Sequence, residues 1–400
     1  MKRIYVVGTA DTKGEELSYL KELAIEAGGA PLIVDVGIRT PAIRPDVAAR
    51  EVAAFGPEGA DRILSSDDRG AAVAAMGAAF ARFLTSRDDV AAVLGIGGGG
   101  GTSIITAGMR ALPVGLPKLM VSTLAAGEVG PFVGVSDIVM MPSVTDIAGL
   151  NRISRAILRN AAFAIVGMAR AGEPPPSDKP AIGLTMFGVT TPCVTAAAAG
   201  LRDAYDCVVF HATGAGGRAM EKLVDNGFLT GVVDATTTEI ADLVVGGVMS
   251  AGDDRLGAIV RRQVPYVGSV GALDMANFWA PETVPEQYRD RNLYRHNPQV
   301  TLLRTNADEN RKIGEWLGER INRCEGPVRV LIPELGVSAL DAPGKPFHDP
   351  QADAALFDTL EEVIEPTADR RLIRLPYHIN DLPFSAALAE NFREIARQGD

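Results

Sequence analysis

Residues 90 to 102 read Val90-Ala-Ala-Val-Leu-Gly-Ile-Gly-Gly-Gly-Gly-Gly-Thr102, an apolar run that passes directly into five consecutive glycines. The apolar run predicts a buried strand, because it lacks the polar alternation of a sheet with one face in water. Similar runs recur along the chain, separated by stretches with helical periodicity. This alternation predicts an α/β fold of mainly parallel sheets, with ligand sites at the carboxyl ends of the strands.

Four prolines in residues 174–180 interrupt this rhythm, and proline cannot continue a helix or a central strand. They predict a linker between a nucleotide-binding Rossmann-like domain at 1–173 and a second α/β domain at 181–400, which is expected to hold a substrate. Within the second domain, residues 275–298 lack clear periodicity and are expected to form a lid or an interface.

The composition excludes several classes of protein. A net charge of −11 without basic runs argues against nucleic-acid or membrane-surface binding. No apolar run reaches the roughly 18 residues of a membrane span, and the amino terminus lacks a signal-peptide pattern. The three scattered cysteines indicate buried thiols in a reducing cytoplasm and not a disulfide framework or a zinc site.

The glycine run is the sharpest functional signal. Glycine loses the most backbone entropy on ordering, so a run of five indicates close approach of a ligand to the main chain, or a need for positive φ, as in anion-binding nests. The run consists of Gly97, Gly98, Gly99, Gly100 and Gly101, followed by Thr102. A flexible structural turn is one alternative. A dinucleotide fingerprint is another, but this is not the first βα turn and the next strand does not end in an acidic residue.

A second candidate phosphate site follows the first strand, in Gly8-Thr-Ala-Asp-Thr-Lys-Gly14. Backbone N–H groups, the hydroxyls of Thr9 and Thr12 and the ammonium of Lys13 would meet there at a helix amino terminus. The alternative is a helix cap formed by Asp11 or Thr12 with a capping box.

Three further side chains end neighbouring strands. Asp35 ends the second strand, where a ribose-binding carboxylate often lies. Ser122 and Thr123 end the fourth strand. A helix cap or a strand-end hydrogen bond explains each of them equally well.

The second domain also carries glycines and hydroxyls at three successive strand ends: Phe187–Pro192, His211–Gly217 and Asp234–Glu239. His211 is a candidate general base, and a hydrogen-bonded structural histidine is the alternative. An arginine of this domain can bind the carboxylate or phosphate of a ligand. A surface ion pair is the equally common alternative. A metal held by the histidines and Asp381 matches no zinc signature. The candidate catalytic residues are His211, Asp234, Arg255, His378 and Asp381.

Several blocks together resemble a known family, over residues 2 to 396. They are Gly8–Lys13, the glycine run to Thr102, Leu116–Thr123, Asp146–Ser154, Thr185–Pro192, Phe210–Gly214, Arg218–Glu221 and His378–Asp381. They resemble the family that contains the ATP-binding, inhibitory domain of the tomato mosaic virus resistance protein.

The resemblance implies ATP binding in the first domain, Rossmann-like architecture in both domains, and a homodimer. Some relatives carry a serine within the glycine run where this chain has only glycine. The nucleotide contacts that the resemblance implies are Thr9, Asp11, Thr12, Lys13, the loop from Gly97 to Thr102, Ser122 and Thr123.

Two functions are therefore expected from the sequence. The first is an enzyme that uses ATP, with magnesium as the accompanying metal, on a small acidic metabolite. The alternative is a non-catalytic ATP-binding module that regulates or docks onto a partner protein. A lyase or isomerase based on His211 has weaker support.

Overall fold

The structure is a computed structural model that describes residues 2–172 and 178–397. The chain divides into two compact units, Met1–Pro175 and Pro176–Asp400. Residues 174–177 of the expected linker lie outside the described residues. Among the residues that are described, no helix has both the length and the apolar character that a membrane crossing requires.

The first unit is built on a parallel five-stranded sheet with the strand order β2-β1-β3-β4-β5. Its elements are β1 (Arg3–Gly8), α1 (Gly14–Glu26), β2 (Pro31–Asp35), α2 (Ala49–Ala53), α3 (Ala60–Leu64), α4 (Arg69–Thr85), β3 (Val90–Gly97), α5 (Gly99–Ala111), β4 (Lys118–Ser122), α6 (Gly130–Val133), β5 (Val139–Pro142) and α7 (Arg152–Ala171).

Both faces of this sheet are covered by helices, which explains the missing polar alternation. Along β1, Tyr5 and Val7 pack into one buried cluster, and Ile4 and Val6 pack into a second cluster. The first cluster includes residues of α4 and α5, and the second includes residues of α1 and α7. Successive side chains of a strand point to opposite faces, so a strand covered on both sides is apolar throughout.

The strand order places a crevice between β1 and β3. The chain leaves β1 for β2 on one side, and then returns to place β3 on the other side of β1. The loops after β1 and β3 therefore diverge at the carboxyl edge of the sheet. Such a topological switch point is where open α/β sheets bind their ligands.

The second unit is built on a parallel six-stranded sheet, order β14-β13-β9-β8-β6-β7, and an antiparallel three-stranded sheet, order β10-β12-β11. Its strands are β6 (Ala181–Met186), β7 (Asp206–His211), β8 (Val232–Thr236), β9 (Tyr266–Gly271), β10 (Met275–Phe278), β11 (Leu293–Asn297), β12 (Val300–Arg304), β13 (Val328–Pro333) and β14 (Arg370–Leu375). Its helices are α8 (Thr191–Leu201), α9 (Ala215–Asp225), α10 (Thr238–Val245), α11 (Gly257–Arg262), α12 (Ala307–Asn322), α13 (Pro350–Val363) and α14 (Leu382–Ala396).

The region expected to lack regular structure, residues 275–298, contains two strands of the antiparallel sheet. β10 is fully buried, and β11 is short and largely exposed. Neither strand is long enough to show a period of two, and this is why the sequence pattern missed them. Between them lie two single turns of 3₁₀ helix, Pro281–Thr283 and Glu286–Tyr288.

Candidate functional site

The glycine run forms the last residue of β3 and the first turn of α5. The first helical hydrogen bond runs from the N–H of Thr102 to the carbonyl of Gly98 at 2.8 Å. The N–H groups of Gly99, Gly100 and Gly101 find no hydrogen-bond acceptor among the described residues, and no side chain caps the helix. Three unpaired donors at the positive end of a helix dipole form an anion-binding surface.

The expectation of positive φ in this run is wrong. None of the five glycines is among the residues with positive φ. Lack of space explains the glycine at position 97, because a Cβ on Gly97 would lie 3.0 Å from the Cα of Gly101. At Gly98 to Gly101 a Cβ would meet nothing closer than 3.7 Å. The backbone there is bare although a side chain would fit, as expected where a ligand needs the main chain.

The loop between β1 and α1 is a tight hydroxyl-lined turn. The N–H groups of Thr12 and Lys13 both donate to the carbonyl of Thr9, at 3.1 and 2.8 Å, and the two threonine hydroxyls lie 2.8 Å apart. Helix α1 has Lys13 at its N-cap and no side-chain cap. The alternative of a capping box at this helix is therefore wrong.

Lys13 is held against the loop that precedes α7. Its Nζ donates to the carbonyl of Ile147, and its side chain lines the cavity described below. An ammonium has three donor positions, so one neutral carbonyl partner leaves two of them for a ligand.

Asp35 forms hydrogen bonds that stabilise the loops after β1 and β2. Its Oδ1 accepts hydrogen bonds from the N–H groups of Ala10 and Gly37, at 2.9 and 2.8 Å, and its exposed fraction is 1%. Burial raises the pKa of this carboxyl. It is not among the cavity-lining residues, and its Oδ2 is buried without a hydrogen-bond partner among the described residues; the expected contact with a ribose stays a prediction.

Thr102, Ser122 and Thr123 also lie behind the glycine run and do not line the cavity. The hydroxyls of Thr102 and Ser122 are buried and 2.7 Å apart, and Ser122 Oγ accepts from the N–H of Leu124. The N–H of Thr123 donates to the carbonyl of Gly97 at 3.4 Å. The hydroxyls of Thr102 and Ser122 and the N–H of Thr123 thus form hydrogen bonds within the protein, and the nucleotide contacts that the resemblance implies for these three residues stay a prediction.

A cavity of about 600 Å³ lies over the two loops at the switch point. It contains the expected residues Thr9, Asp11, Thr12, Lys13 and Gly98–Gly101. It also contains residues that sequence reasoning missed, which are Val36, Ile38, Arg39, Leu64, Ser65, Ser66, Asp67, Arg69, Val73 and Ile104. The first three follow β2, the next four end or follow α3, and the last three lie in the first two turns of α4 and α5. The available signal for most of them was their position after β2, at the ligand edge of the sheet.

In the second unit, Asp234 and Arg255 belong to a buried ion network. The guanidinium of Arg255 donates to Asp234, Glu239 and Glu221 at 2.8, 2.9 and 3.1 Å, and Tyr266 donates to Asp234 at 3.0 Å. Burial alone would lower the pKa of Arg255, but the three carboxylates outweigh it and raise that pKa. Both predicted catalytic residues are almost inaccessible to water, so their observed contacts are structural.

Glu239 also fills the glycine loop that follows β7. Its Oε1 accepts from the N–H groups of Gly214 and Gly217, at 2.7 and 3.0 Å. Two of the backbone donors at this loop are therefore already paired with a carboxylate of the protein itself.

The two predicted histidines differ in their environment. His211 is exposed, with its ring 5.3 Å from that of Phe187. His378 accepts from the N–H of Asn380 through Nδ1, so its Nε2 donates to the carbonyl of Ser338. Both ring nitrogens are thus engaged with the backbone. The carboxylate of Asp381 accepts from the N–H of His378 and braces the same turn.

Within residues 2–172 and 178–397, no group of three histidine, cysteine or acidic side chains has an arrangement that could hold a metal ion. A site that a metal shares with a bound phosphate needs fewer protein ligands.

Family models match nearly the whole chain. The N-terminal domain of an uncharacterised protein family, UPF0261, matches residues 2–174, and the C-terminal domain of the same family matches residues 179–396. The chain belongs to the UPF0261 family.

Bacterial and plant proteins are related to this UPF0261 chain over most of its length. A UPF0261 protein of Mesorhizobium japonicum is 64% identical, covering 99% of this chain and 100% of its own length. A UPF0261 protein of Clostridium tetani is 45% identical, covering 97% and 98%. The ToMV resistance protein Tm-1(GCR237) of Solanum lycopersicum is 41% identical, covering 98% of this chain but 56% of its own length.

Among solved structures, the chain aligns with the Streptomyces glycosyltransferase SsfS6, which was crystallised with thymidine diphosphate. The identity is 13%, the TM-score is 0.19, and the alignment covers 67% of this chain and 82% of that one. A similarity of that size supports no conclusion about this UPF0261 protein.

Proposed function

We propose that the first unit binds ATP in the cavity over the loops that follow β1 and β3. The observation that carries the proposal is the set of three unpaired N–H groups at Gly99, Gly100 and Gly101, beside a cavity at the switch point of the sheet. The polyphosphate lies on these donors. A net charge of −11 on the chain does not oppose this, because the main chain supplies the local positive potential.

The rest of the cavity suits a nucleoside. Its volume of about 600 Å³ is within the range of small-molecule sites. Val36, Ile38, Leu64, Val73 and Ile104 form an aliphatic wall that can cover a flat base. The family resemblance selects ATP among the phosphorylated ligands that such a cavity accepts.

Magnesium fits this site only together with the nucleotide. Asp11 lines the cavity, and its Oδ1 is buried without a hydrogen-bond partner among the described residues. Magnesium is commonly bound by one or two carboxylates and by the phosphates of the ligand. Asp11 is the carboxylate that would hold it here.

Two functions that depend on ATP are candidates. One is an enzyme acting on a small acidic metabolite, for which the exposed His211 remains the available acid or base. The other is a non-catalytic regulatory or interaction module that works as a homodimer. The second is favoured by the structural engagement of Asp234, Arg255 and His378 described above.

Calorimetric titration of the full chain with ATP tests the binding proposal, with adenosine as the control that lacks phosphate. Micromolar binding of ATP and much weaker binding of adenosine are expected, and equal affinities would refute a phosphate site. Release of phosphate or diphosphate over a panel of sugar acids, with ATP and magnesium, supports the enzyme. Binding without turnover, together with a defined partner that binds only in the presence of ATP, supports the module.

A further inference from the structure

Two arginines line the cavity at places that no sequence motif pointed to. Arg39 lies four residues beyond the end of β2, and Arg69 is the first residue of α4. With Lys13, they place three cationic side chains around the cavity, against two carboxylates, Asp11 and Asp67. The cavity is therefore cationic within an acidic chain.

Both arginines lack a protein partner. Neither Arg39 nor Arg69 makes a side-chain hydrogen bond or an ion pair with any described residue, and both are exposed. Two other exposed arginines of this unit are paired, since Arg50 binds Asp61 at 2.5 Å and Arg62 binds Glu58 at 3.2 Å. The guanidinium groups at the cavity are thus free for a ligand.

Arg69 also occupies a position that the helix itself disfavours. A cation in the first turn of a helix opposes the helix dipole, and acidic residues are the stabilising choice there. The carboxylate of Asp68, the N-cap of α4, lies next to Arg69 and accepts from the N–H of Ala71 at 3.0 Å, which offsets part of this cost.

The packing of α4 against α5 puts Arg69 near the glycine run. A Cβ built on Gly100 would lie 3.7 Å from Val73 Cγ2, and one built on Gly108 would contact Phe80. The two helices therefore run side by side in the same direction. Arg69 lies four residues before Val73, one turn earlier on the same face, and so at the level of the open end of the glycine run.

We propose that Arg39 and Arg69 bind the terminal phosphates of the nucleotide and make the site selective for nucleoside triphosphates over monophosphates. This inference rests on the proposed binding of a nucleotide in the same cavity. Guanidinium groups pair with phosphate oxygens through two parallel hydrogen bonds. The glycine N–H groups alone would bind a monophosphate and a triphosphate with more similar affinities. The two arginines favour the triphosphate because it carries the larger negative charge.

Calorimetric titration of the full chain with ATP and with AMP tests the inference, in Arg39→Ala, Arg69→Ala and the double variant. Each single change is expected to weaken ATP binding roughly tenfold to a hundredfold, as for the loss of a hydrogen bond to a charged group. AMP binding should change less than about threefold, so that the preference for ATP nearly disappears in the double variant. Arg44→Ala is the matched control, because Arg44 is exposed on the same loop as Arg39 but does not line the cavity.

Equal losses for ATP and AMP, or no loss for either, would overturn the inference. A wild-type chain that binds ATP and AMP with the same affinity would overturn it as well, while leaving nucleotide binding intact. A wild-type chain that binds neither would instead refute the proposed function. Unchanged melting temperatures in the variants are expected, because both side chains are exposed and unpaired, and they separate lost contacts from lost folding.

Discussion

The carboxylate of Glu239 accepts a hydrogen bond from the backbone N–H of Gly217 at 3.0 Å. It accepts a second from Gly214, and its other oxygen accepts from Arg255. A buried side chain of the protein thus occupies the glycine loop of the second unit and pairs with two of its N–H groups. Among the described residues, no side chain does the same at Gly99 in the first unit. Two loops that look alike in sequence therefore differ in whether a carboxylate of the protein already pairs with their N–H groups.

Replacing Glu239 with alanine is expected to destabilise the second unit by about 3–5 kcal/mol, because it leaves a buried arginine short of a partner and two N–H groups unpaired. Both tryptophans, Trp279 and Trp316, belong to this unit, so urea unfolding followed by tryptophan fluorescence reports on it selectively. Glu390→Ala is the control, since Glu390 is exposed. A loss of stability below about 1 kcal/mol would show that the ion network contributes little to the stability of the second unit.

Alanine substitutions at two glycines are expected to act in opposite directions. A Cβ on Gly217 would lie 2.0 Å from Glu239 Oε2, whereas one on Gly100 would lie 3.7 Å from its nearest neighbour, Val73. Gly217→Ala should therefore cost about 1–3 kcal/mol through overpacking. Gly100→Ala should stabilise the chain by up to about 1 kcal/mol, because alanine loses less backbone entropy in a helix.

Thermal unfolding by calorimetry measures both alanine variants. Destabilisation by Gly100→Ala equal to that by Gly217→Ala would contradict the claim that the backbone at Gly100 is uncovered.

The stability of the second unit is expected to depend on the ionisation of Asp242. Burial raises the pKa of this carboxyl to about 7, although Asn277 and the N–H of Met249 donate to it. Between an unfolded pKa near 3.9 and this folded value, the folded chain holds a proton that the unfolded chain has released. The contribution of Asp242 to stability is therefore present at low pH and is lost as the pH rises towards 7.

Asp242→Asn mimics the protonated side chain and removes this dependence. The free energy of unfolding of the variant, relative to wild type, should rise by about 1.4 kcal/mol per pH unit between pH 4 and pH 7. Asp253→Asn, at an exposed position, should show no such slope. A difference between Asp242→Asn and wild type that is independent of pH would be evidence against the raised pKa.

The sequence was sufficient for the fold and for part of the site. Apolar runs at β1 and β3, joined by loops rich in glycine and threonine, predicted the parallel sheet and the residues Gly98–Gly101 on the cavity wall. Periodicity could not reveal Arg39 and Arg69, because they reach the cavity through the packing of helices and loops beyond β2. Periodicity also could not distinguish the buried Asp234 from an exposed carboxylate, since only the tertiary structure places a buried arginine beside it.

The resemblance of the two glycine loops shows the same limit. His211–Gly217 and Gly95–Thr102 were both predicted to be ligand loops at strand ends, and a difference between them is Glu239, which lies 22 residues beyond Gly217 in the chain. A carboxylate that is so far from the loop in sequence leaves no motif near the loop from which the contact could be predicted. The sequence therefore identified candidate ligand loops, and the structure identified the one that no described side chain caps.

ATP binding to Gly99→Asp, compared with Gly99→Asn, tests the central claim that bare main-chain amides hold the polyphosphate. A Cβ at this position meets only Leu124, at 3.7 Å, so both variants should fold. The aspartate should stabilise the helix by about 0.3–1 kcal/mol, as an acidic residue at its first turn, and should weaken ATP binding at least roughly a hundredfold through charge repulsion. The asparagine should retain binding within about tenfold. A folded Gly99→Asp protein that binds ATP as tightly as the wild type would contradict the account.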